Sequence, residues 1–64
     1  MKRNEQVEQA IIAAAQRSFQ RFGLEKTTME DVAREAGKGK SSLYYYFPNK
    51  EAIFEAVVRT EMDS

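Results

Sequence analysis

Sixty-four residues make one small domain, close to the lower limit for a chain that folds alone, and with no cysteine and no histidine neither disulfides nor a soft-metal site can reinforce it. No apolar run approaches the roughly 20 residues that span a bilayer, and the opening MKRNEQVEQ turns acidic and polar after two cations, unlike a signal peptide, so a cytoplasmic protein is expected. Ten lysines and arginines balance ten aspartates and glutamates, and a net charge of zero does not by itself point to a nucleic-acid partner.

Apolar residues recur with helical spacing almost throughout, no segment alternates like a strand, and four helices are expected. The first runs from about Glu5 to Phe22, with Val7, Ile11, Ala14, Ala15, Phe19 and Phe22 on one stripe and Gly23 placed to end it in a left-handed conformation. The second runs from about Met29 to Ala36. Thr28 with Asp31 makes a capping-box pattern, Thr27 with Glu30 is the competing frame, and Gly37 terminates the helix. Met29, Val32, Ala33 and Ala36 form its inward stripe. The third is short, about Lys40 to Phe47, and Pro48 stops it. The fourth starts with Asn49 as N-cap and runs to the end, burying Ile53, Phe54, Val57 and Val58.

The informative stretch is TMEDVAREAGKGKSSLYYYF, residues 28–47: two short helices joined by about three residues, with Gly37 where the chain reverses and a small Ala33 where the helix axes approach. Such a pair is the arrangement of a helix-turn-helix, whose second helix enters the major groove, although many helix hairpins share the spacing. At about 100° per residue, Leu43, Tyr46 and Phe47 of the third helix can face the core. Ser41, Tyr44 and Tyr45 then point outward, with Ser42 at the boundary. Two adjacent exposed tyrosines on a small domain suggest a partner that covers them; the alternative is that they lie against the first helix or a downstream domain.

Charge is unevenly spread. Residues 34–50 hold four cations (Arg34, Lys38, Lys40, Lys50) against Glu35 alone, whereas from Glu51 onward four acids face only Arg59. Lys40 and Lys50 fall in the first turns of the third and fourth helices, where a cation opposes the helix dipole at a cost of roughly 0.3–1 kcal/mol. An anion arriving from outside reverses that sign, so a lysine beside free first-turn amides makes a phosphate clamp. Exposed lysines are also common and tolerated.

In IIAAAQRSFQRFG, TTMEDVAREAG and KSSLYYYFPNKEAIFEAVV, the chain resembles the TetR (tetracycline-repressor-like) family of bacterial transcriptional regulators, over about Glu5 to Met62. The LYYYFPNKEAIF run is the specific part. The resemblance implies an all-α, homeodomain-like fold over residues 5–64: a three-helix core, with the helix-turn-helix motif at 28–47, and the start of a fourth, linker helix. It implies that Lys40, Ser41, Ser42, Tyr44 and Tyr45 meet double-stranded operator DNA. Lys50 and the start of the second helix around Thr28 would hold phosphates. Apart from the resemblance, Lys38 in the turn before the third helix adds to the local cation excess, and Gly39 beside it is counted among the DNA-binding residues. The resemblance further implies a homodimer on a near-palindromic operator, repression, and a C-terminal domain outside this chain that binds a small-molecule inducer and makes the dimer. No cofactor is implied. Two departures from the family pattern stand out: Lys38 replaces a small apolar residue, and Gly39 replaces a capping serine. Two glycines flanking a lysine are expected to loosen the turn and free Lys38 for a phosphate.

An enzyme is not expected, because Glu30 and Asp31 are adjacent on a helix and so do not face each other, and no Gly-rich phosphate loop is present. Membrane-surface binding by the first helix is discounted, since Glu5 and Glu8 occupy its opening turns and its apolar face is needed for the core. The competing function is a protein-interaction module that uses the Tyr44/Tyr45 face.

Overall fold

The computed structural model describes residues 4–63, and every regular element among them is a helix: α1 Glu5–Phe22, α2 Met29–Ala36, α3 Lys40–Tyr46 and α4 Lys50–Asp63. The opening Met-Lys-Arg, and Ser64, the expected end of the fourth helix, lie outside these residues. No helix among the described residues is long and apolar enough to cross a membrane.

Local chemistry sets most of the boundaries. Asn4 caps α1 from an extended conformation, its Oδ1 accepting the Gln6 and Val7 amides at 2.9 and 3.3 Å, and Glu5 and Glu8 suit the positive end of the helix. At the far end the Gly23 N–H reaches the Phe19 carbonyl at 2.8 Å. Gly23 has φ 87° and ψ 157°, a positive-φ conformation outside the left-handed helical region that essentially only glycine adopts. Thr28 is the N-cap of α2: its hydroxyl accepts the Asp31 N–H at 3.1 Å, and the Asp31 carboxylate accepts the Thr28 N–H at 3.0 Å. The competing frame fails because Thr27 is fully buried, its hydroxyl donating to the Gly23 and Ser18 carbonyls at 2.7 and 3.2 Å.

The turn between α2 and α3 is better fixed than its glycines suggest. Gly37 is left-handed (φ 71°), its N–H donates to the Arg34 carbonyl, and the Lys38 N–H donates to the Ala33 carbonyl at 2.9 Å. This pair of bonds is a Schellman motif. The hydrophobic contact that often completes it is absent, because Lys38 is exposed. Gly39 begins α3 with φ −76°, makes no side-chain cap, and has open space where a Cβ would lie. Serine there should therefore add a cap. Gly39→Ser is expected to stabilise the domain by a few tenths of a kcal/mol, raising its thermal midpoint by roughly 1–3 °C. Gly37→Ala, at positive φ, should lower it. A midpoint lowered by Gly39→Ser would show that the turn needs glycine for another reason.

α1 packs against α2 and α4, and α3 lies against α2. The core is Ile11, Ile12 and Ala15 of α1, Val32 and Ala33 of α2, Leu43, Tyr46 and Phe47 around α3, and Ile53 and Val57 of α4. Arg17 adds an ion pair to Glu35 at 3.0 Å between exposed side chains of α1 and α2. Such surface pairs contribute about 0–1 kcal/mol.

Several expectations need correction. Phe22 is 51% exposed. It shares the angular position of Ile11 but lies in the last turn of α1, where the Arg21 guanidinium sits 5.8 Å above its ring. Ile12, absent from the expected stripe, is buried. On α4 only Ile53 and Val57 are buried; Phe54 and Val58 stand 39% and 36% exposed. They lie about 100° further around the helix, although the Phe54 ring still meets Phe19 edge-on at 5.9 Å. α3 ends at Tyr46, with Phe47 extended as its C-cap, and Ser42 is exposed, not at the boundary.

Candidate nucleic-acid interface

α3 has two chemically distinct sides. Leu43, Tyr46 and Phe47 are buried and fix one side to the core, Ser41, Ser42, Tyr44 and Tyr45 are exposed around the rest of the helix, and Lys40, in its first turn, is exposed as well. Tyr44 and Tyr45 are 49% and 40% exposed, so they are not tucked beneath α1. The Tyr45 ring stands perpendicular to that of Tyr46, with centroids 5.1 Å apart. Lys38 and Gly39, in the turn leading into α3, are exposed as well.

Two further predicted residues come from other elements. Lys50 opens α4, and its ammonium donates to the Glu25 carbonyl at 3.2 Å. That bond spans from α4 to the loop before α2 and sets Lys50 near the chain segment that leads into Thr28. The ammonium keeps two further N–H donors for an anion. Asn49 Oδ1 accepts the Ala52 N–H at 2.8 Å, and the earlier amides of α4 belong to the first-turn donors that no helix satisfies internally.

The start of α2 is less open to phosphate. Thr28 is exposed, but its hydroxyl and its N–H are both engaged with Asp31 in the capping box. Glu30 and Asp31 add negative charge there. The Thr28 N–H, then its hydroxyl, hold the Asp31 carboxyl below its usual pKa. The group is thus ionised at neutral pH, and its contribution to the cap is lost as the pH falls through the depressed folded value. Among the described residues no cluster of three or more His, Cys, Asp or Glu could hold a metal ion.

Sequence reasoning missed the Asn4 cap, the buried Thr27 and the role of the Tyr46 hydroxyl, which accepts the Asn4 N–H at 2.8 Å. Asparagine ahead of EQV is a legible capping signal. The hydroxyl bond spans 42 positions and has none. Also unforeseen is an apolar groove on the outer side of α4, lined by Phe54, Glu55, Val58, Arg59 and Met62.

The family described as bacterial regulatory proteins, tetR family, matches residues 11–57. The chain is similar to the HTH-type transcriptional regulator RutR of Escherichia coli (strain K12), with 46% identity over 54 residues, 84% of this chain and 26% of that protein. It is similar to the uncharacterized HTH-type transcriptional regulator YhgD of Bacillus subtilis (strain 168), with 44% identity over 78% of this chain and 26% of the relative. The HTH-type transcriptional regulator TtgR of Pseudomonas putida shares 38% identity over 75% of this chain and 23% of its own length. The chain thus spans about a quarter of the length of these curated relatives. No solved structure matches it at a significant level.

Proposed function

The chain belongs to the tetR family of bacterial regulatory proteins, and we propose that it binds double-stranded operator DNA in the cytoplasm by laying α3 in the major groove. The observation that carries this is the two-sidedness of α3: an anchored apolar side, a polar and aromatic face of Ser41, Ser42, Tyr44 and Tyr45 turned away from it, and an exposed Lys40 at the start of the helix. Lys40 is the candidate for a guanine O6/N7 contact. The serines donate or accept and discriminate weakly, and the tyrosines cover base edges and sugars. Lys50, with Lys38, Gly39 and Thr28 around it, holds backbone phosphates.

The whole protein is proposed to be a homodimeric repressor on a near-palindromic operator, released by a small-molecule inducer held in a C-terminal domain. The greater length of the relatives supports a further domain, and the apolar groove of Phe54, Val58 and Met62 on α4 is a face such a domain would cover.

Selection from random duplexes with a dimerised form of the chain tests the proposal. Recovery of two similar half-sites about one helical turn apart is expected; recovery of no sequence preference opposes it. Salt titration separates the competing protein-interaction reading. DNA binding should weaken with a log–log slope of about −0.9 per phosphate neutralised, whereas a tyrosine-centred protein interface should change little. Lys50→Ala should weaken all duplexes about equally and flatten that slope by about one unit. A changed sequence preference with an unchanged slope would remove Lys50 from the phosphate role.

A further inference from the structure

α3 is held to the fold by unequal means at its two ends. At its start the tie is main-chain: the Schellman bonds of the turn join it to α2, and Gly39 offers no side-chain cap. At its end the tie is the Tyr46 hydroxyl, which accepts the Asn4 N–H at 2.8 Å in a partly buried setting. Asn4 is itself immobilised, since its Oδ1 caps the Gln6 and Val7 amides of α1. The apolar contacts of Leu43, Phe47 and the Tyr46 ring hold α3 against the core and decide which side faces it, but hydrophobic contact is non-directional and leaves the fine setting of the helix end loosely defined. A hydrogen bond is directional. The same Tyr46 ring also supports Tyr45 edge-on at 5.1 Å.

We propose that Tyr46 is a positioning residue for operator reading: by accepting the Asn4 N–H it locks the end of α3 to the start of α1 and sets the angle at which Tyr44 and Tyr45 enter the groove. Base-edge contacts tolerate displacements of only about 0.5 Å, whereas phosphate attraction acts over a Debye length of about 10 Å. Loss of the lock therefore degrades sequence preference and spares non-specific affinity. Phenylalanine would fill the same apolar space, so the hydroxyl is not needed for burial. This inference rests on the DNA-binding function proposed above.

The test compares binding of the selected operator duplex and of a scrambled duplex to the full chain, at a temperature where circular dichroism shows each variant folded. Tyr46→Phe should lower the ratio of operator to scrambled affinity about threefold to tenfold, the size of one net hydrogen bond, with scrambled binding and the salt slope unchanged. An unchanged ratio, or equal loss on both duplexes, overturns the assignment. Should Tyr46→Phe not fold, the Asn4 pair decides: Asn4→Pro removes the donated N–H together with the cap and should lower the ratio well below that of Asn4→Ala, which removes the cap alone. Equal behaviour of the two overturns it. A wild-type chain that shows no operator preference defeats the DNA-binding function itself, and so is told apart from failure of the Tyr46 role.

Discussion

Phe47→Ala is expected to remove a large part of the domain's stability and to lower its thermal midpoint steeply. Phe47 is 6% exposed and belongs to the apolar cluster that all four helices share. Truncating a buried phenylalanine costs roughly 3–5 kcal/mol through lost transfer energy and the cavity left behind. A domain of this size has about 3–10 kcal/mol to lose, so the change takes a large part of it. Phe47 also caps α3, its N–H closing onto the Leu43 carbonyl at 2.9 Å from an extended conformation, so a collapse around the cavity would disturb the end of α3. Urea or thermal unfolding followed by circular dichroism measures the effect. Phe54→Ala is the internal comparison. Phe54 is 39% exposed on the outer side of α4 and should cost far less. A cooperative Phe47→Ala variant with a near wild-type midpoint would contradict the placement of Phe47 in the core.

Lys40→Ala should change what the domain prefers more than how tightly it binds. Lys40 is exposed in the first turn of α3, one turn before the buried Leu43. A lysine paired to guanine O6/N7 provides roughly 1–3 kcal/mol of discrimination at one base pair, or about 5- to 150-fold. Competition between operator duplexes altered singly at each position measures it: preference should relax at one position per half-site and persist elsewhere. This contrasts with Lys50, whose ammonium lies by the Glu25 carbonyl at the start of a different helix. If Lys40→Ala weakened every duplex equally, Lys40 would be a phosphate contact and the base role would fall to Tyr44, Tyr45 or the serines.

Helix positions were legible because they are written locally. Thr28 with Asp31, Gly37, Pro48 and Asn49 act within three or four residues, and each ends or starts a helix where its chemistry predicts. The inward and outward sides of α3 were legible from 100° periodicity, since a helix of seven residues barely drifts. The burial of Phe22, Phe54 and Val58 was misjudged because periodicity gives a direction and not a partner. The outer side of α4 and the last turn of α1 are covered only in part by the described residues, and Phe22, Phe54 and Val58 stay more than a third exposed. Contacts between distant segments were illegible for the same reason. Lys50 to the Glu25 carbonyl and the Tyr46 hydroxyl to the Asn4 N–H join residues 25 and 42 positions apart, and no local pattern encodes them. The Gly37-Lys38-Gly39 turn shows the converse error. Composition suggested looseness, whereas two main-chain hydrogen bonds close it.

The seat for DNA is tested most directly by amide chemical-shift mapping of the folded chain as duplex is added at low salt. The largest changes should fall on Gly39 through Tyr45 and on Lys50, with smaller ones at Thr28 and Lys38. Changes confined to Phe54, Val58 and Met62 on α4, with the tyrosine face of α3 unmoved, would contradict the account.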